Sequence, residues 1–235
     1  MDSCGIEKVC LSGLGETFHC VDNEGIQKAF QKYPERVIGA YYIRPGVSQF
    51  EEILEAYDRG FKMIKVTLPL QPYNKKRYYA YWEQAQKLEM PVLFHTGIVT
   101  TLERDPNHTI NSWYMHPMRV EPIANSFPDL NIIIAHLGVH WNKDAAELVR
   151  MKPNVYVDLT GEPRGWRLYA DQIGMDHYLW WEGAFKKVIF GTDVFYGKIR
   201  RILKRDKERY DTLGLNRKTK DLIFSGNILN MLNLE

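Results

Sequence analysis

The sequence predicts an α/β fold of parallel strand–helix units, a TIM-type (β/α)8 barrel incomplete at its N-terminal side. Three observations predict it. Short runs rich in Val, Ile and Leu recur between longer segments with helical periodicity, the rhythm of βα units. Several runs are apolar at consecutive positions, as in NIIIAH and KVIFGTD, which suits strands covered on both faces. The chain also lacks the Gly-rich nucleotide turn that an open parallel sheet of this length usually carries.

In chain order the predicted strands are 8–12, 37–43, 63–68, 91–95, 131–136, 154–159 and 187–192. The helical segments between and after them are 22–32, 48–59, 78–88, 118–127, 143–150, 167–181 and 197–210, with a closing helix at 218–234. Punctuation agrees with these boundaries. Arg59-Gly60, Glu89-Met90-Pro91, Phe127-Pro128 and Lys152-Pro153 put Gly or Pro where a helix stops and a strand begins. The opening residues read as the tail of a helix entering the first strand, so the strand that would precede that helix is missing. Either the chain begins part-way into a barrel, which the absent nucleotide turn favours, or the sheet is open. No linker or low-complexity segment interrupts the series, so one domain over 1–235 is expected.

Composition excludes several function classes. With 45% hydrophobic and 26% charged residues, the chain can bury a sizeable core. A formal charge of +2 is too small to argue for a polyanionic partner, and no nucleic-acid role is expected. The one basic run, KIRRILKRDKER, reads as the solvated face of an outer helix. The N-terminus resembles no secretory or transit signal and no run is long enough to cross a bilayer, so a cytoplasmic protein without a membrane partner is expected. Cys4, Cys10 and Cys20 lack a Cys-x2-Cys pair and read as reduced thiols. The aromatic residues Tyr178 to Trp181, with Trp113 and Tyr114, suit core or subunit contact, and a homo-oligomer is left open.

The candidate site lies at strand ends. PVLFH ends in His95, NIIIAH in His136 and VIFGTD in Asp193. In a parallel barrel all C-terminal strand ends share one rim, where such barrels keep their chemistry. Two imidazoles and a carboxylate suit a divalent metal, zinc first, with a position left for water or substrate. Asp193 can alternatively act as general base toward that water. A single histidine at a strand end is more often structural; three such ends together carry the metal reading.

These residues sit in blocks that resemble the amidohydrolase-related family, on the branch that contains aminocarboxymuconate-semialdehyde decarboxylase. PERVIGAYYIRPG, RGFKMIKVTLP, YYAYWEQAQKLEMPVLFHTG, PIANSFPDLNIIIAHLG, KPNVYVDLTG, KVIFGTDV and SGNILNML follow in the family's order, with FHTG, AHLG and FGTD the specific ones. The resemblance implies a barrel of the metal-dependent hydrolase type. It makes His95 a metal ligand, His136 a ligand or catalytic imidazole, and Asp193 the carboxylate that binds metal or activates water. The chain departs from the family in lacking any His-x-His pair, so half the usual metal shell is missing. Lys65 occupies the region where some superfamily members carry a carboxylated lysine, and it is expected to line the mouth and meet substrate. Arg164 and Arg167 are candidate clamps for a substrate carboxylate; Asp158 is expected first to make a helix-capping or loop hydrogen bond, with support of the site as the alternative. His140 and Trp141 are placed at the pocket edge or in an exposed loop. His19 reads as a surface histidine, and His108, His116 and His177 receive no role.

The implied function is hydrolysis of a small ester, lactone or amide substrate with a divalent metal. The alternative is non-oxidative decarboxylation of a small carboxylated substrate. A further alternative is an inactive barrel kept as scaffold or partner subunit, which the missing His-x-His pair would favour.

Overall fold

The computed structural model describes residues 1–15, 18–99, 110–161 and 164–234. Seven strands form one sheet in chain order, every neighbouring pair parallel: β1 Val9–Ser12, β2 Val37–Ile43, β3 Met63–Val66, β4 Val92–Phe94, β5 Ile132–Ile134, β6 Val155–Asp158 and β7 Val188–Ile189. All seven predicted strands are present. The sheet curls as an incomplete barrel with β1 and β7 as its edges, unpaired with each other among the described residues.

The helices are α1 Asn23–Lys32, α2 Glu52–Asp58, α3 Tyr79–Lys87, α4 Glu121–Ser126, α5 Asn142–Met151, α6 Trp166–Ile173, α7 Ile199–Thr212, α8 Arg217–Asp221 and α9 Asn227–Met231. Asp22 starts α1 by accepting a hydrogen bond from the Gly25 amide, so the chain leaves the β1 loop with a capped helix. Two predicted helices are broken. The one expected at 167–181 stops at Ile173 because Gly174 takes φ 84, and a short 3-10 turn, Met175–His177, follows. The closing helix is divided by a π-helical turn, Leu222–Gly226, between α8 and α9.

Strand side chains alternate, and burial separates the two faces. Ile64, Val66, Phe94, Ile132, Ile134, Val155 and Val157 belong to the large core between sheet and helices. Ala40, Met63, Ile133 and Ile189 point the other way and form a second apolar cluster with Met231 and Leu232 of the C-terminal segment. This second cluster is the floor of the barrel lumen. The alternation then fixes what stands above it: Lys65 lies two residues beyond Met63, His95 two beyond Leu93, and Asp158 two beyond Tyr156. An apolar floor under polar residues at the strand C-termini directs the chemistry to that rim. No helix among the described residues is long and apolar enough to cross a membrane. Cys4, Cys10 and Cys20 are unpaired.

Candidate active site at the strand C-termini

His95 follows β4 directly, its amide donating to Val66 O at 2.9 Å. Its own carbonyl accepts from the buried Tyr73 hydroxyl at 3.1 Å. The chain then turns at Gly97, whose φ of +119 and lack of a side chain are both required: a Cβ there would come within 2.1 Å of Val139 O. The β4 and β5 loops can therefore lie against each other, tied by Ile98 N donating to Val139 O at 2.7 Å.

His136 follows β5 in left-handed backbone, φ 59 and ψ 24, and Leu137 continues at φ 45. Two successive non-glycine residues in this region are a strained turn of the kind found at functional sites. It swings the His136 ring back over the lumen. Asp193 is reached by a similar turn, at φ 50.

The two imidazoles meet, with His136 Nε2 3.2 Å from His95 Nδ1 and ring centroids 5.0 Å apart. Asp193 Oδ2 is 4.0 Å from the same His136 nitrogen, with the aspartate side chain 59% exposed. Residues 41 and 57 positions apart thus converge on one point of the rim. Burial, then the neighbouring His136 and Lys65, hold the His95 pKa well below the usual imidazole value, so its ring is neutral. His95 Nε2 is buried without a hydrogen-bond partner among the described residues, a group that a ligand would satisfy.

The other side of the His136 ring is held by residues from β6. Asp158 Oδ1 accepts from the Thr160 hydroxyl at 2.6 Å, from the Thr160 amide at 3.0 Å and from the His136 amide at 2.8 Å. With its only hydrogen given to Asp158, Thr160 Oγ1 accepts from His136 Nδ1–H at 2.6 Å. The tautomer follows: Nε2 of His136 carries the lone pair and faces His95 and Asp193. Sequence reasoning offered Asp158 as support or, first, as a helix-capping or loop hydrogen-bond residue; its Oδ1 makes loop hydrogen bonds with the His136 and Thr160 amides and also takes the Thr160 hydroxyl that faces His136. Thr160 was missed, since a threonine after a strand carries no signal of its own. Gly191 lets it stand there, because a Cβ on Gly191 would lie 2.5 Å from Thr160 Cγ2.

Lys65 is 7% exposed and, among the described residues, has no hydrogen bond or ion pair. Burial lowers its pKa, opposed by the charges of Asp193 and Asp158. It therefore stands on the same face as the site and within its electrostatic reach.

The remaining candidates are not brought to this cluster. Arg167 is 3% exposed and pairs with Asp206, which is 2% exposed and also binds Arg209, so the expected substrate clamp is a buried ion pair between α6 and α7. Arg164 is exposed on the turn entering α6. His116, given no role from sequence, is buried: Nδ1 accepts from the Met118 amide at 3.2 Å and Nε2 faces Asp144 at 3.3 Å. Its ring packs at a tilt against Trp141 and Trp113, which meet edge to face, making a local aromatic support for the β5 loop. His140 is exposed, and His108 lies outside the described residues. Cys20, after β1, lies close enough to Asp193 for that charge, after burial, to raise its thiol pKa.

The donor spacing bears on a metal. Metal–nitrogen bonds of about 2.0–2.1 Å put adjacent tetrahedral donors roughly 3.3 Å apart. The 3.2 Å between the His95 and His136 nitrogens fits two neighbouring corners of such a shell, and Asp193 stands beyond the third. Among the described residues, no three His, Cys, Asp or Glu side chains are gathered closely enough to hold an ion unaided. The residues fit part of a metal shell.

The model of the amidohydrolase family matches residues 16–234. The chain belongs to that family. The chain shares its fold with an uncharacterized TIM-barrel protein from Bordetella bronchiseptica, at 20% identity and TM-score 0.75, over 99% of this chain and 80% of the other. A dihydroxybenzoic acid decarboxylase from Polaromonas, solved with manganese and the inhibitor 2-nitroresorcinol, is similar at 18% identity and TM-score 0.65, over 99% and 83% of the two chains. A probable 2-pyrone-4,6-dicarboxylic acid hydrolase from Acinetobacter baumannii, with citric acid bound, is similar at 14% identity and TM-score 0.64, over 99% and 86%. No curated protein matches the chain in sequence. The family resemblance carried by FHTG, AHLG and FGTD is borne out, and the fold is one used by decarboxylases and a hydrolase alike.

Proposed function

We propose that this member of the amidohydrolase family cleaves a small carboxylated substrate with the help of a divalent metal, releasing carbon dioxide. The reading is carried by one observation: His95, His136 and Asp193 converge beside Lys65, a buried cation that lacks a carboxylate partner among the described residues. A buried charge is costly unless paired, so this position calls for an anionic group from the substrate. An ester or amide supplies no such group, and this moves decarboxylation ahead of the hydrolysis that the sequence puts first. Hydrolysis remains the second reading, favoured by the exposure of Asp193, which leaves room for an attacking water beside its carboxylate.

His95 and His136 would hold the metal through Nδ1 and Nε2, with Asp193 as third ligand or as the group that moves a proton. A bound divalent ion would polarise a substrate oxygen and bring a coordinated water toward neutral pKa. Manganese in the Polaromonas decarboxylase makes that ion as good a first choice as the zinc expected from ligand chemistry. Thr160 and Asp158 orient His136, and Lys65 meets the substrate carboxylate. Arg164, exposed at the entry to α6, stands as an outer contact; Arg167 is already committed to Asp206.

The deciding experiment supplies manganese or zinc to chelator-stripped protein and follows carbon dioxide release and water-dependent cleavage over a panel of aromatic and aliphatic carboxylates and lactones. Carbon dioxide release that needs added metal and is lost in H136A is expected. Metal bound with no turnover of any kind would favour the scaffold alternative.

A further inference from the structure

We infer that Tyr42 is a substrate-binding residue, whose hydroxyl donates a hydrogen bond to a carboxylate oxygen of the substrate. The inference deepens the reading above, and rests on the rim being the site of a carboxylated substrate. Along β2, Ala40 belongs to the lumen cluster and Ile38 packs against it, so alternation puts Tyr42 next on that face. Register sets it beside Lys65 of β3, the position that meets the carboxylate in that reading. Adjacent strands lie about 4.8 Å apart, so a single carboxylate can sit between the two side chains. Tyr42 is also within electrostatic reach of Tyr73, whose hydroxyl donates to His95 O at 3.1 Å, which places it on the side of the imidazoles.

Its surroundings set it apart from the neighbouring tyrosines. Tyr41 enters the large core and donates to Glu52, and Tyr81 donates to Ser48 O. Tyr42 is half-buried and, among the described residues, packs in neither apolar cluster and has no hydrogen-bond partner for its hydroxyl. The backbone beneath it is fixed. The pairing of β1 with β2 ends at Ser12 opposite Ala40, and Asn23 takes over, its side chain accepting from the Tyr42 amide at 2.7 Å and donating to the Tyr42 carbonyl at 2.9 Å. A clamped main chain lowers the ordering cost of binding through this ring. Burial pushes the phenol pKa up to about 12, so the hydroxyl keeps its proton and remains a donor. A hydrogen bond to an ionised acceptor is stronger than one to a neutral carbonyl, so Tyr42 favours acids over neutral molecules of the same shape.

The test titrates the full chain, with manganese supplied, by calorimetry against benzoate, phenylacetate and butanoate and against the neutral methyl ketones of the same skeletons. Wild type is expected to bind at least one acid more tightly than its ketone. Y42F, which keeps the ring, is expected to bind that acid about tenfold or more weakly, with ketone affinity, manganese affinity and Tm unchanged. Equal affinity of the two proteins for the acid would overturn the role of Tyr42 and leave the carboxylate site standing. An equal loss for acid and ketone, with a lowered Tm, would show that the hydroxyl only supports packing and would overturn it too. Wild type that binds none of the acids would overturn this inference together with the reading on which it rests.

Discussion

A hydroxyl settles how one imidazole presents itself at the rim. Because Thr160 gives its hydrogen to Asp158, His136 must donate from Nδ1 and keep Nε2 open. T160V removes that acceptor, and divalent-metal affinity is expected to fall about 10- to 100-fold by calorimetric titration. T160S keeps the hydroxyl and should restore it; equal affinity in both variants would show that Thr160 only fills space. If the proposed decarboxylation holds, D193N is expected to lower its rate by about 10²- to 10⁴-fold with the fold retained, as for loss of a proton-transfer group. His95 adds an acid sensitivity. Its folded pKa is depressed below the unfolded value, so the unfolded chain takes up more protons as pH falls below that value. The stability contribution is complete above about pH 6.5 and is lost as pH falls toward the folded pKa. Urea denaturation of H95Q against wild type between neutral and mildly acidic pH should show a flatter pH dependence in the variant. His95, His136 and Asp193 were legible because strand-terminal polar residues interrupt apolar runs. Thr160 was not, since its partner lies 24 positions away and only the register of β5 with β6 brings them together.

Among the elements, α6 and α7 are joined by charge. Arg167 and Arg209 share Asp206, while Arg205 and Arg209 reach Asp171. D206A would leave the Arg167 guanidinium facing the interior without its carboxylate, and Arg209 with Asp171 alone, a loss of about 3–5 kcal/mol for a buried pair broken on one side. Urea denaturation measures it, and a loss under about 1 kcal/mol would mean that water enters this interface. The network also explains why the basic run KIRRILKRDKER is not simply a solvated face: Arg205 and Arg209 turn toward α6, with Asp206 in their midst. Sequence charge counts cannot separate inward from outward arginines when acidic partners sit on another helix. The same limit made Arg167 look like a substrate clamp. The parallel strands, in contrast, were readable to within a few residues, because two-sided burial writes itself as unbroken Val and Ile runs. The helix predicted at 167–181 overran for a local reason, the positive φ taken by Gly174.

For the whole molecule, any ligand that binds the folded rim alone would be linked to folding by mass action. A divalent ion that binds only the folded rim should raise stability by about 2.7 kcal/mol at a hundredfold excess over its Kd. Scanning calorimetry with manganese or zinc should show the rise in Tm, with H95A/H136A abolishing it. An undiminished rise in that double variant would locate the ion elsewhere. The curled sheet was foreseeable from periodicity, but the seal under its lumen was not. Met231 and Leu232 belong to a helix whose apolar face looks ordinary until the second core cluster shows where it docks.

That docking has a practical corollary. Ending the polypeptide before Met231 would pull the stopper from a drain: Ala40, Met63, Ile133 and Ile189 would be wetted from beneath while the polar groups above them kept their sequence. A recombinant version bearing a purification handle is therefore better extended ahead of Met1, leaving the carboxyl-terminal helix free to seat.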